Sequence, residues 1–362
     1  MKQSTHPFRT TMIRTILHSS HLAFACSTLA IVSSVPTAAQ LTLHSGPVGV
    51  ISRDLVQGEN GLAFPLIAAD TFVGLAEGNA GTVLSFPDTE GDIGALLAAG
   101  TSYYVEIVTG PLEGERLDVD EIATMAAANA TLVLDLGPAS HSTLNVLGAN
   151  VLDDARCVIR PHVTLSSLQA MISPVLVGDN KHNMADGVHV FEGGEYRWYF
   201  LKADGVSWAG KDVPGDFRHR VIPPDTSIKL EVRSGAKSWM HEGIVRTSAF
   251  RKNLMAGTQA FATGYPEALS PLDLAAFVDP NSPPAIRWTG NADPEVADWI
   301  QLSARMPKPF HWYYLTADGL SWRRVAQSIV ATDVPFVEAT EAILLRRQQP
   351  DAGYIILPPF DL

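Results

Sequence analysis

An eleven-residue segment written twice constrains this chain more than any other feature. Trp198-Tyr199-Phe200-Leu201-Lys202-Ala203-Asp204-Gly205-Val206-Ser207-Trp208 recurs as Trp312-Tyr313-Tyr314-Leu315-Thr316-Ala317-Asp318-Gly319-Leu320-Ser321-Trp322, with eight of eleven positions identical at an offset of 114. Upstream, Ala185-Asp186-Gly187-Val188-His189-Val190 matches Ala297-Asp298-Trp299-Ile300-Gln301-Leu302 at 112, and Leu165–Leu168 matches Leu269–Leu272 at 104. Downstream, Leu230 and Arg233 align with Leu344 and Arg347. The offset changes across turn-like stretches such as Asp279–Pro284, which is how a duplicated fold absorbs insertions.

The chemistry of one unit predicts β structure. Ser166 and Ser270 are N-cap candidates, with Gln169 and Asp273 three residues on and Pro271 at a first helical position, so each opens a short helix. An apolar strand follows, Val188–Phe191 or Trp299–Leu302. The aromatic strand is apolar on both sides, which predicts burial on both. Ala-Asp-Gly supplies the positive-φ glycine of a tight turn, and the return strand ends in Trp208 or Trp322. A final strand, Ser227–Arg233 or Ala342–Arg347, completes the unit.

The first half reads as short strands between Gly, Pro, Asn and Asp. In Tyr103–Val108, Tyr103, Val105 and Ile107 fall on one face and Glu106 on the other, the pattern of a half-buried strand. Gly110–Gly114 turns the chain into Arg116–Asp120, making a hairpin. Leu132, Leu134 and Leu136 alternate likewise. Short helices are expected at Ile93–Ala98 and Glu121–Ala128, the second capped by Asp120. The fold class is therefore all-β with a few short helices. An N-terminal β-barrel or sandwich domain (40–160) is followed by two tandem β-rich units, 161–252 and 253–362.

Lys2, Arg9 and Arg14, the apolar run Leu22–Val35 and Pro36-Thr37-Ala38-Ala39 form a signal peptide over 1–39, with Met12 an alternative start. The stretch is short of a membrane span and is interrupted by Ser27, Thr28, Ser33 and Ser34. Cleavage predicts export to the periplasm, cell surface or exterior, with no membrane span in the mature chain. It removes three cations and no acids, taking the net charge from −12 to −15. Such a surface argues against nucleic acid and keeps an exported protein soluble. Cys26 leaves with the signal, so Cys157 is the one thiol of the mature chain, and its apolar setting reads as core.

No catalytic, phosphate-binding or dinucleotide motif is present. Asp118, Asp120 and Glu121 invite comparison with calcium ligands or a glycosidase pair, but they lack the spacing of a calcium loop and fall on a strand and at a helix cap. His162, His182, His189, His219, His241 and His311 show no paired spacing. His189 corresponds to Gln301 and His311 to Arg197, so neither zinc nor any cofactor is expected. The aromatic stripe reads mainly as core. Tyr196, Trp239 and Trp288, outside the strongest match, are the candidate ligand contacts, with carbohydrate or another surface protein as partner.

Tyr104-Val105-Glu106, Gly110-Pro111-Leu112-Glu113-Gly114-Glu115-Arg116, Val158–Leu165 and the two Trp-Tyr-aromatic segments resemble a family of uncharacterised exported β-rich proteins common in verrucomicrobial genomes. The resemblance spans most of 45–360 and implies a signal peptide and a β-rich body, without an activity. The reading is an exported non-enzymatic structural, surface or ligand-binding protein. The alternative is an extracytoplasmic polysaccharide hydrolase using a dispersed carboxylate pair.

Overall fold

The computed structural model describes residues 47–127, 129–278, 288–302, 311–325, 330–331 and 337–359. The expected signal segment 1–39, the turn Asp279–Pro284 and the last residue of the expected helix Glu121–Ala128 lie outside them. The chain is all-β, with antiparallel sheets and short helices, and among the described residues no sheet closes as a barrel. No helix among the described residues is long and apolar enough to cross a membrane.

Two sheets share one strand order. The first runs Gly58–Leu62, Ile228–Val232, Gly187–Glu192, Glu195–Leu201, Trp208–Gly210. The second runs Gly257–Phe261, Ile343–Arg347, Trp299–Leu302, His311–Leu315, Trp322–Arg324, and adds Val330–Ala331 at its edge. Val188 faces Tyr199 on one side and Leu230 on the other, as Ile300 faces Tyr313 and Leu345. The final strands therefore match at an offset of 115, one residue beyond the sequence alignment. Leu230 answers to Leu345, and Arg233 to Gln348. The inward face decides this: Leu230 and Leu345 both enter cores, whereas Leu344 lies on the opposite face.

The strands before position 67 belong with this sheet system. Val48–Leu55 pairs with Lys237–Val245 along its whole length, and Gly58–Leu62 pairs with Ile228–Val232. The second sheet draws in Phe250–Leu254 and Gly257–Phe261 in the same way. Each of these two-strand segments passes from one sheet to the next at a glycine of positive φ, Gly58 and Gly257, and each turn is held by an amide. Asn60 accepts from Val56 N–H and donates to its carbonyl, and Gln259 does the same at Met255. Arg53 donates to Thr340 O of the other sheet's connection at 3.0 Å, and Lys252 reciprocally donates to Asp225 O at 2.8 Å. Ala63 N–H and Ala262 N–H bond those same two carbonyls. These crossed bonds relate the two sheets by an approximate exchange of places.

Between Ile67 and Val163 lies a seven-stranded sheet, ordered Phe72–Leu75, Arg156–Pro161, Tyr103–Ile107, Arg116–Val119, Thr131–Asp135, Val83–Ser85, Gly78–Ala80. Its core takes Val105, Ile107, Leu117, Leu132, Leu134, Cys157 and Ile159. Burial pushes the Cys157 thiol up to about 12, so it remains protonated. The 110–115 turn and its hairpin are present. Glu106, read as the polar side of a half-buried strand, is instead fully buried. It is gripped by the Arg160 and Arg246 guanidinium groups and by Ser248 Oγ at 3.3 Å, and Arg160 also reaches Asp70. A second cluster, Arg116 and Lys252 on Asp225 at 3.3 and 3.0 Å, ties this sheet to the other two. Buried ions persist only when paired in this way.

Asp120 caps the helix Glu121–Ala126 by accepting from Ala123 N–H. The cap at Leu165–Ala170 is Thr164 with Ser167 as its reciprocal partner, two residues before the expected Ser166. Ser270 and Asp273 form the expected reciprocal pair, but over hydrogen-bonded turns rather than a helix.

Candidate functional site

The outer face of the first sheet carries aromatic and charged side chains side by side. Gly193 and Gly194, both at positive φ, make the two-residue turn that sets Glu192 opposite Glu195. That register places Phe191 beside Tyr196, His189 beside Trp198 and Gly187 beside Phe200, all on the side away from the core. Tyr199 and Leu201 point inward, as the period-two strand requires. A Cβ on Gly187 would lie 2.5 Å from the Trp198 ring, so the glycine is what lets this indole lie across the sheet. The His189 ring meets Trp198 at 4.4 Å.

Charged side chains frame the rings. Lys229 Nζ sits 4.6 Å over the Tyr196 ring and 3.0 Å from Glu59 Oε1. Glu231 receives Arg233 at 2.5 Å and His189 Nε2 at 3.5 Å, and the Arg233 guanidinium lies 5.9 Å from the Trp198 ring. Burial holds His189 below the usual imidazole range, with Glu231 and Glu59 opposing. Burial, helped by Glu59, raises the Tyr196 phenol. Beside Arg233 opens a cleft of about 310 Å³ lined by Gln57, Gly58, Asn183, Met184, Glu231, Val232 and Arg233. Two amides, a guanidinium and a carboxylate thus converge next to an aromatic row.

Of the three residues expected to contact ligand, Tyr196 lies on this face, half-buried. Trp239 does not: it is fully buried, packed edge-on to Phe64 at 6.0 Å and against His241. It falls on the inward side of Lys237–Val245, where Lys237, Trp239 and His241 alternate with exposed neighbours. Trp288 is likewise core, 5% exposed, with the Arg347 guanidinium 4.3 Å over its ring and Trp322 at its edge. The first members of the repeated stripe also reach solvent. Trp198 is half-buried and Trp312 is 40% exposed, against the expectation of burial on both faces. Sequence reasoning missed Trp198, His189, Glu231, Arg233, Asn183 and Gln57. The matched segments signal just one of these, His189, which stands against Gln301 in the second copy.

The acids weighed for catalysis are engaged elsewhere. Asp118 accepts from His141 N–H at 2.6 Å and bonds His162 Nε2 at 2.9 Å. Although burial opposes ionisation, the hydrogen bonds of His141 and His162 keep its carboxyl well below the usual range. Glu121 accepts from Tyr103 N–H at 2.7 Å, and burial raises it. Among the described residues, no group of three or more His, Cys, Asp or Glu is placed to hold a metal ion. Comparison with protein-family models, with curated proteins and with solved structures finds no match to the chain.

Proposed function

We propose that this is an exported, non-enzymatic carbohydrate-binding protein whose scaffold is a β unit used twice. The first unit combines Val48–Ile67 with 163–245, interrupted by the seven-stranded sheet, and the second spans 250–356. In support, the two sheets share strand order and register, and Arg53 and Lys252 make reciprocal crossed bonds. The export signal read in residues 1–39 supports a place outside the cytoplasm.

One observation carries the binding reading: the half-exposed Trp198 indole, flanked by His189 and Arg233, beside a cleft lined by planar hydrogen-bonding groups. A flat aromatic face suits the C–H side of a pyranose ring, while Gln57, Asn183, Glu231 and Arg233 suit its hydroxyls. A hydrolase would need two carboxyl groups across the bound sugar, and among the described residues lining this cleft Glu231 is the one acid, already paired with Arg233. The expected partner is therefore a polysaccharide that is held and not cut. The test is co-sedimentation with a panel of insoluble neutral polysaccharides, followed by the Trp198→Ala variant. Retention of wild type on at least one glycan, weakened about tenfold or more by the substitution, supports the reading. Retention unchanged in Trp198→Ala, or release of soluble sugar, contradicts it.

A further inference from the structure

The second sheet presents the same aromatic frame with the opposite charge. In the first sheet, one outward row crosses the strands as Ala209, Phe200, Gly187, Glu231. The matching row of the second reads Arg323, Tyr314, Trp299, Arg346. An acid has become a guanidinium at the equivalent position, and a second guanidinium has been added at the far end. The next row changes from Trp198, His189, Lys229 to Trp312, Gln301, Leu344, so its charge disappears while its exposed indole remains.

The exchange of Gly187 for Trp299 also changes how the rings lie. Trp198 settles over a bare glycine, whereas Trp312 stacks on Trp299 with centroids 4.5 Å apart and planes 41° apart. This lifts Trp312 outward to 40% exposure, whereas Trp198 is half-buried. Tyr314, Trp299 and Leu344 form a small cluster beneath it. Arg323 is exposed; Arg346 meets Glu295 at 3.5 Å, but Glu295 is itself largely exposed, so a ligand carboxylate can displace it. In a chain of net charge −12, two arginines bracketing the buried rings of Tyr314 and Trp299, with the exposed Trp312 on the next row, stand against the general field.

The geometry points to this face as a second binding site, specific for an anionic, uronate-bearing polysaccharide. Arginine pairs a planar carboxylate through two parallel N–H groups, and the indole supplies the stacking surface. This inference extends the carbohydrate reading but rests on different residues, so the two can fail separately.

The experiment titrates the protein by calorimetry with a polygalacturonate oligosaccharide and with an uncharged cello-oligosaccharide. Wild type, Arg346→Glu, Arg323→Glu, Trp312→Ala and Trp198→Ala are compared, with circular dichroism verifying that each folds. Wild type is expected to bind polygalacturonate with an affinity that falls as salt rises. Arg346→Glu and Trp312→Ala should each weaken that binding about tenfold, Arg323→Glu severalfold, and Trp198→Ala little. Because Arg323 is exposed, its variant keeps the test open should Arg346→Glu fail to fold. Absence of polygalacturonate binding by wild type, or binding unchanged in both the arginine and Trp312 variants, overturns the second site. Loss of polygalacturonate binding in Trp198→Ala alone also overturns it, and assigns the acidic glycan to the first face.

Discussion

His241 should make the fold acid-sensitive by an amount that can be worked out. The ring is 2% exposed, wedged between Phe64 at 5.6 Å and Trp239 at 5.5 Å, and its Nδ1 has no partner. Burial drops its pKa from the ordinary 6.5 to about 4. The folded state therefore keeps the ring neutral while the unfolded chain takes up a proton. The stability this contributes is fully present above pH 6.5, declines as pH falls from there to 4, and is then lost. A shift of about 2.5 units corresponds to about 3 kcal/mol in all, of which about 2 kcal/mol is lost by pH 5. Urea denaturation at pH 7.5 and pH 5.0, on wild type and His241→Leu, isolates the effect from other groups such as His162, which burial also depresses. The stability difference between variant and wild type should move by about 2 kcal/mol in favour of the variant on acidification. An unchanged difference would show that the His241 site is wet or otherwise able to accept the proton, and would refute the reasoning.

Three further outcomes follow from the packing. Glu106→Ala leaves the buried Arg246 guanidinium without its acid and Arg160 with Asp70 alone, and should cost about 3–5 kcal/mol in a denaturant titration, far more than removal of an exposed acid such as Glu195. Gly178→Ala and Gly290→Ala place a Cβ 1.8 Å from Lys202 O and 2.2 Å from Thr316 O, and each should lower stability by about 1–3 kcal/mol. Equal tolerance of alanine at both would contradict the close backbone approach. Gly187→Ala pushes a methyl group into the Trp198 ring, so sugar affinity should fall with a smaller change in melting temperature than Trp239→Ala produces.

What was legible in the sequence was local. The Trp-Tyr hairpins could be read because strand, Ala-Asp-Gly turn and return strand lie within eleven residues, and Asp204 and Asp318 each hold their turn through backbone N–H groups. The two-strand segments Val48–Leu62 and Phe250–Phe261 were not legible as counterparts. They share only Leu55/Leu254 and Gly58/Gly257 over the turn, and the first finds its partner strand some 170 residues later. Pairing at that separation leaves no spacing signal, so Val48–Ile67 reads as part of the domain that follows it. The one-residue slip at Leu230 has a similar origin: a run of Leu344-Leu345-Arg346-Arg347 offers two equally good matches, and only the buried face chooses between them. At the site, aromatic content was visible but burial was not. Trp239 sits between a buried lysine and a buried histidine, which disguises an inward face as a polar one. Trp198 belongs to the stripe that reads as core, but it lies on the outward face, where Gly187 on the neighbouring strand leaves room for its ring.

The carbohydrate reading stands or falls on the first sheet's outer face. Calorimetric titration of the best neutral oligosaccharide into wild type, Trp198→Ala and Arg233→Ala tests it most directly. The account predicts a single saturable binding event in wild type, weakened about tenfold or more by either substitution, with Arg323→Glu leaving it unchanged. Affinity for the neutral sugar that survives in both Trp198→Ala and Arg233→Ala would contradict the assignment of this face as the binding site.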